Sequence, residues 1–255
     1  GDNPEVKVNA SVAYPYDVLK GRVNGYMKFD KTELDLIEAQ WNVLPNYVGD
    51  ANILPLVDVS GSMTCKAGGP ASKSELTCLD VSVSLGLYLA DKNKGKFKDT
   101  FLTFSGSPEL LHLKGNIVQK VQQMVKSNWA MNTDLVKAMD KILRTAKEAG
   151  VPQSEMPEML LIMSDMQFNC CRNYDDSAIQ MIERKYAAAG YNVPRVVFWN
   201  INSYNNVPVQ SDKSGAALVS GFSPAIVKAL LAADMSDFTP EGIMLKTVMT
   251  DRYAI

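Results

Sequence analysis

Residues 52–63 have the sequence NILPLVDVSGSM. Its apolar run at residues 53–57 is typical of a strand buried on both faces of a sheet. The run ends abruptly at Asp58, after which Ser60 and Ser62 place an oxygen at every second position. An apolar core does not need three side-chain oxygens at one strand end, whereas a small hard cation does. The end of this strand is therefore the first candidate site.

The chain that follows this strand alternates short apolar runs with segments of helical period. Such alternation predicts β-α units around a mostly parallel sheet. The predicted strands are 52–58, 99–104, 109–113, 158–164, 194–200 and 216–220. The predicted helices are 75–92, 116–126, 134–149, 175–189, 223–233 and 240–250. We expect an α/β fold with a doubly wound, mostly parallel central sheet, helices on both faces and one antiparallel edge strand.

The first fifty residues are less regular than the rest. Prolines and glycines interrupt them, and only residues 31–42 have a helical pattern. We interpret 1–50 as an N-terminal lead-in and 51–255 as one α/β domain that ends with a C-terminal helix.

Composition argues against a broad basic surface and against a membrane span, and it leaves a local basic patch open. The 255 residues carry a formal net charge of -2, which does not resemble the basic surface of a typical nucleic-acid-binding protein. No apolar run approaches the roughly 18 residues of a membrane span, and the first residues do not form a signal peptide. We therefore expect no membrane association and a cytoplasmic, that is intracellular, location.

The four cysteines do not indicate a zinc site. They stand at positions 65, 78, 170 and 171, and no C-x-x-C pair occurs. Free thiols agree with a reducing compartment.

Two further segments are expected to bring oxygens to the same edge of the sheet. Ligands of open parallel sheets bind beyond the carboxyl ends of the strands. Asp165 ends the strand LLIMSD and joins Asp58 on this rim if the two strands are neighbours. Thr133, in WAMNTDL, either caps the helix that follows or reaches the same rim. Gly61 lets the chain turn sharply between the two serines.

Five oxygen-bearing side chains with only two charges among them favour Mg²⁺, with Mn²⁺ or Ca²⁺ as alternatives. Magnesium keeps waters in its coordination shell, so one position can stay open. A carboxylate or phosphate oxygen from another molecule would then complete the shell.

The order D-x-S-x-S, threonine, distal aspartate resembles the metal-ion-dependent adhesion site (MIDAS) of von Willebrand factor A (vWA) domains. The resemblance covers about residues 51–235. It implies the metal ligands Asp58, Ser60 and Ser62 in the first loop, Thr133 in the second and Asp165 in the third. Asn132 departs from the pattern, because many members have glycine there. Asp134 is expected to cap the following helix.

A narrower resemblance rests on LPLVDVSGSM at 54–63 and LIMSDMQF at 161–168. These segments resemble the A domain of Ro-type (TROVE) RNA-binding proteins. They resemble still more the C-terminal half of an uncharacterised family in which a helical region precedes this domain. The lead-in would then be the tail of that helical region.

The resemblance implies a non-enzymatic module that binds a protein partner through an acidic oxygen. The expected ligand-binding rim consists of Met63, Asn132, Gln167 and Phe168. Other aromatic and methionine side chains, among them Trp129 and Met131, are expected in the core. An RNA-binding ribonucleoprotein component similar to Ro proteins is the alternative. The sequence does not predict an oligomeric state.

Two enzymatic hypotheses have less support in the sequence than the binding module. A phosphohydrolase that uses Asp58 as phosphoryl acceptor needs a second acid two residues later, where Ser60 stands. A serine nucleophile lacks a G-x-S-x-G elbow, and the only histidine, His112, is expected at the surface or on an edge strand. We therefore expect no catalytic residues.

Overall fold

A mixed seven-stranded sheet organises the chain. The computed structural model describes residues 13–23, 28–166, 171–172, 174–203, 210–211 and 216–232. The strands are β1 (Ile53–Val57), β2 (Thr100–Thr103), β3 (Leu110–His112), β4 (Thr133–Asp134), β5 (Met159–Ser164), β6 (Cys171–Arg172), β7 (Arg195–Asn200), β8 (Gln210–Ser211) and β9 (Ala217–Ser220). The helices are α1 (Pro15–Leu19), α2 (Lys31–Asn42), α3 (Cys78–Lys92), α4 (Ile117–Val125), α5 (Leu135–Ala149), α6 (Asp176–Ala188) and α7 (Pro224–Ala232). The helix predicted at 240–250 lies outside the described residues.

The strand order is β3-β2-β1-β5-β7-β9-β8. The five inner strands are parallel, and β3 and β8 pair antiparallel at the two edges. This architecture confirms the predicted fold class. The second antiparallel edge strand was not predicted, because β8 has only two residues and leaves no periodic pattern. A separate two-stranded pair, β4 with β6, was missed for the same reason.

Both faces of the sheet are covered, which explains the unbroken apolar run of β1. Ile53 and Val57 point to one core, which α1, α2, α3, α4 and α7 complete. Leu54 and Leu56 point to the other core, which is built with α5 and α6. Successive side chains of a strand face opposite sides of the sheet, so every position of β1 is buried.

The lead-in is packed onto the first of these cores. Leu19 of α1 and Ile37 of α2 are fully buried there. The predicted helix at 31–42 is observed as α2, and Asp30 caps it by accepting the N–H of Glu33 at 2.9 Å. The division of the chain into a lead-in and one domain stays a prediction.

The strand order reverses between β1 and β5: the strands after β1 are added on one side of it, and the later strands are added on the other side. From β1 the chain moves to β2 on one side, and it later returns to β5 on the other side. Val57 pairs with Met163, so both strands end at the same level. The crevice beyond such a reversal is where open α/β sheets bind ligands.

Candidate metal centre

Asp58 is the first residue after β1, and its side chain is held on both oxygens. The residue is fully buried. Its backbone N–H donates to the carbonyl of Met163 at 3.0 Å, which extends the pairing of β1 with β5. Oδ1 accepts the N–H of Ser60 at 2.9 Å, and Oδ2 accepts the hydroxyl of Ser164 at 2.7 Å. The carboxylate is therefore fixed at the end of the strand.

Burial raises the pKa of the Asp58 carboxyl. The hydrogen bonds from Ser60 and Ser164 act in the opposite direction, and the nearby charge of Asp165 adds to the rise. Within the described part of the chain, no lysine or arginine forms an ion pair with Asp58. A buried carboxylate without a cationic partner is costly, and a bound cation would offset that cost.

A chain of hydrogen bonds leads from Asp58 toward solvent through Ser60, Ser62 and Asp165. A short 3-10 helix, Gly61–Thr64, turns the chain so that the two serine hydroxyls lie 3.0 Å apart. The hydroxyl of Ser62 donates to Oδ1 of Asp165 at 3.1 Å. Ser60 is buried and Ser62 is exposed, so the oxygens lead from the interior to the surface. Four of the five predicted ligands form one connected group.

Thr133 lies at the same edge of the sheet but outside that hydrogen-bonded group. The Thr133 loop is attached to the end of β2, since Ala130 donates its N–H to Phe104 at 2.8 Å. Asp134 caps α5 by accepting the N–H of Lys137 at 3.0 Å, as expected, so Thr133 is not the cap. Thr133 is fully buried, and its Oγ1 has no hydrogen-bond partner among the described residues.

The predicted rim is only partly accessible. Asn132 is half-buried in the second loop. Met63 is fully buried in the first core, so its predicted place on the accessible rim is wrong. The 3-10 turn directs its side chain inward while its neighbour Ser62 faces out. Gln167 and Phe168 lie outside the described residues.

Two apolar side chains beside the site were assigned to the core wrongly. Trp129 is 49% exposed and Met131 is 67% exposed. Both belong to the loop that carries Thr133, and the backbone bond of Ala130 lies between them. Apolar identity alone does not show which way a loop side chain points. Among the described residues, these two provide exposed apolar surface on the loop that carries Thr133.

A pair of cysteines also borders the centre, and no sequence pattern indicates it. The Sγ atoms of Cys65 and Cys78 lie 3.5 Å apart, and Sγ of Cys65 lies 4.0 Å from Oδ2 of Asp165. Burial raises the pKa of both thiols. Cys171 is buried on β6, opposite Thr133 in the pairing with β4.

The donor set fits a hard cation better than a soft one. Among the described residues, no three His, Cys, Asp or Glu side chains gather as a metal-binding group. The site instead combines two carboxylates with serine hydroxyls, and an unpartnered threonine hydroxyl is buried at the same edge. Oxygen donors of this kind suit Mg²⁺ or Ca²⁺. His112 lies away from this group, exposed on edge strand β3.

Comparison with known proteins identifies the family. The family model described as a domain of unknown function, DUF7788, matches residues 52–252, so the chain belongs to that family. Over 249 residues the chain is 31% identical to the uncharacterized protein L728 of Acanthamoeba polyphaga mimivirus. The match covers 94% of this chain and 40% of that protein. The chain thus spans well under half the length of this relative.

A solved structure shares the fold. The crystal structure of the Ro (RSR) protein of Deinococcus radiodurans matches with a TM-score of 0.51 at 17% identity, covering 86% of this chain and 44% of that one. At this level of identity the likeness shows the fold alone.

In the described part of the chain, no helix is both long and apolar enough to cross a membrane.

Proposed function

We propose that this member of the DUF7788 family is a non-enzymatic interaction module with a metal-ion-dependent adhesion site. The proposed ligands of the cation are Asp58, Ser60, Ser62, Thr133 and Asp165. Mg²⁺ is the proposed ion, with Mn²⁺ or Ca²⁺ as alternatives. The bound ion would supply an open coordination position for an acidic side chain of a protein partner.

The observation that carries this proposal is the connected group of oxygens. Asp58 is fixed at the buried end, and Asp165 and Ser62 meet at the surface with a 3.1 Å hydrogen bond. The hydroxyl of Thr133, which is buried without a partner in the described part of the chain, is a second support. Leaving a buried hydroxyl without a partner costs about 1–3 kcal/mol, and a metal–oxygen contact would remove that cost.

The open coordination position favours an acidic partner. Asp58 and Asp165 balance the two charges of the ion, and the hydroxyls of Ser60 and Ser62 coordinate without adding charge. A carboxylate oxygen that replaces a bound water is a preferred ligand of a hard cation. Trp129 and Met131 add exposed apolar contact area on the Thr133 loop, so a protein surface with an acidic residue and apolar neighbours would match both features.

The residue two positions after Asp58 argues against a phosphohydrolase. A phosphoryl acceptor of this kind needs a second acid there to protonate the leaving group. Ser60 occupies that position, and a serine hydroxyl does not act as such an acid. We therefore propose a binding role without catalytic residues.

The test is metal-dependent capture of a partner. The immobilised chain is incubated with extract from its source cells, in MgCl₂ or in excess chelator. We expect a discrete set of proteins to be retained in magnesium and lost in chelator. Asp58→Asn should lose the same set, and Asp35→Asn, an exposed aspartate on α2, should keep it. Retention of the same proteins by all samples in chelator would refute the proposal.

RNA binding in the manner of a Ro-type protein is the second candidate. The fold likeness to the Deinococcus Ro protein favours it. A cleft of about 480 Å³ at the β3 edge is lined by Lys96 and Lys141, whose charges suit phosphates, and also by Glu148, which offsets one of them. In the same capture experiment, RNA retained equally with and without chelator would support this candidate. Ribonuclease treatment would release proteins that are held through RNA and would leave proteins that bind the chain directly.

A further inference from the structure

Cys65 and Cys78 face each other across a small antiparallel bridge. Lys66 and Thr77 form that bridge, and the two cysteines are the next pair outward. The N–H of Cys78 donates to the carbonyl of Cys65 at 2.8 Å. The backbones on either side of the two thiols are therefore already joined.

The geometry is close to that of a disulfide. Residues opposite one another in an antiparallel pair have Cα atoms about 4.5–5.5 Å apart, which lies within the range that disulfides span. The two Sγ atoms are 3.5 Å apart, and a disulfide requires about 2.05 Å. A closure of about 1.5 Å is within reach of side-chain rotation while the backbone pairing stays intact.

The two thiols differ in their access to solvent. Cys65 is half-buried at the end of the 3-10 helix, and Cys78 is fully buried as the first residue of α3. A reagent in solution therefore meets Cys65 first, and Cys78 is positioned behind it to complete the reaction.

We propose that Cys65 and Cys78 are a redox-active dithiol that low-molecular-weight disulfides oxidise reversibly. The Cys65 sulfur gives its proton to solvent and attacks one sulfur of the small disulfide, whose S–S bond breaks and releases one thiol. The Cys78 sulfur, also losing its proton, then attacks Cys65 in the mixed disulfide and releases the second thiol. The protein loses two hydrogens and the small disulfide is reduced to two thiols.

Oxidation would act directly on the border of the candidate centre. The new bond closes the loop 66–77, which follows the segment that carries Ser60 and Ser62. It also removes the thiol hydrogen with which Cys65 faces Asp165. The inference does not depend on metal binding, because it rests on the two sulfurs and their backbone pairing.

The experiment is peptide mapping of the reduced chain after incubation with oxidised glutathione. Remaining thiols are blocked, and the protein is digested with trypsin without reduction. We expect peptide 32–66 to be joined to peptide 74–92, with a mass two hydrogens below the sum of the two. Dithiothreitol should restore the separate peptides.

Single variants test the order of the two steps. Cys78→Ser should keep glutathione on Cys65, because no second thiol displaces it, and Cys65→Ser should leave Cys78 reduced. Circular dichroism verifies that each variant folds, and the wild-type map decides alone if one does not. Both thiols remaining free in the wild type, or a lasting glutathione adduct on its Cys65, would overturn the proposal.

Discussion

Buried polar side chains lie near both ends of β1. At the amino end they are hydrogen-bonded by protein groups, whereas at the carboxyl end part of their hydrogen-bonding capacity is left unused among the described residues. At the amino end, Asn93 accepts the N–H of Ile53 at 2.9 Å and donates to its carbonyl at 2.8 Å. Asn52 accepts the N–H of Lys94 at 2.8 Å and donates to the carbonyl of Glu155 at 2.8 Å. Both asparagines are almost fully buried, and protein groups meet their hydrogen-bonding needs.

At the carboxyl end, protein groups leave some of the buried polar atoms without a partner. Among the described residues, Asp58 is buried without an ion pair, and the hydroxyl of Thr133, in the loop at the same end of the neighbouring strand β2, has no hydrogen-bond partner. Buried polar groups at the amino end of β1 therefore hold the fold together. At the carboxyl end they have a cost that a ligand would remove.

The largest expected effect is on stability at the amino end. Asn93→Ala leaves the N–H and the carbonyl of Ile53 buried without partners, so the free energy of unfolding should fall by about 3 kcal/mol. Urea denaturation measures this loss. Asn192→Ala, on an exposed residue, should change it by less than about 0.5 kcal/mol. A loss below about 1 kcal/mol for Asn93→Ala would remove the contrast between the two ends.

The next effect is on magnesium affinity at the carboxyl end. Asp58→Asn keeps an acceptor for the N–H of Ser60 but removes the buried charge, so affinity should fall at least about tenfold, or 1.4 kcal/mol. The metal-free variant should stay within about 1 kcal/mol of the wild type in stability. Titration calorimetry measures the affinity, with Asp35→Asn as the matched control. Equal affinity in the wild type and Asp58→Asn would exclude Asp58 as a ligand.

A smaller effect with the opposite sign is expected at Thr133. Thr133→Val removes a buried hydroxyl that no described residue satisfies, so the metal-free protein should gain about 1 kcal/mol in unfolding free energy. Magnesium affinity should fall roughly threefold, or about 0.6 kcal/mol. Thermal and urea unfolding without MgCl₂ measure the change in unfolding free energy. The same experiments with MgCl₂ measure the stabilisation by magnesium and hence its affinity.

Thr103→Val is the matched control for that substitution. Thr103 is equally buried, but its Oγ1 accepts the N–H of Glu109 at 2.9 Å. This variant should therefore lose about 1–2 kcal/mol of stability. If Thr133→Val destabilised the protein as much as Thr103→Val, the Thr133 hydroxyl would have to be bonded within the protein.

The smallest stability effect is expected at the exposed apolar pair. Met131→Ser should alter the free energy of unfolding by less than about 0.5 kcal/mol, because the side chain is mostly in solvent. It should nevertheless reduce metal-dependent capture of the protein partner. Val43→Ser, at a 79% exposed position, is the control that should leave capture intact. Equal capture by both variants would place the partner elsewhere.

The sheet could be predicted from the sequence because each parallel strand is marked by a short apolar run in its own segment of the chain. The parallel strands are apolar runs at regular intervals, and Asp58 and Asp165 each follow such a run directly. Once β1 and β5 are neighbours, the pleat and the common direction of the strands bring the two acids to one edge.

Loop orientation could not be predicted in the same way. The single bond from Ala130 to Phe104 helps to set how the loop of Trp129 and Met131 lies on the end of β2, and no sequence period encodes that bond. Met63 is buried because a 3-10 turn of four residues directs it inward. The Cys65–Cys78 contact depends on one antiparallel bridge, which is too short to leave a pattern.

The proposed cation site is tested most directly by an anomalous difference map from crystals grown with Mn²⁺, which substitutes for Mg²⁺ at oxygen sites. We expect one strong peak at the carboxyl end of β1, about 2.1 Å from the hydroxyls of Ser60 and Ser62. We also expect this peak to disappear in Asp58→Asn crystals. A map with no peak between β1 and β5 at millimolar Mn²⁺, or with the same peak in the variant, would refute the site.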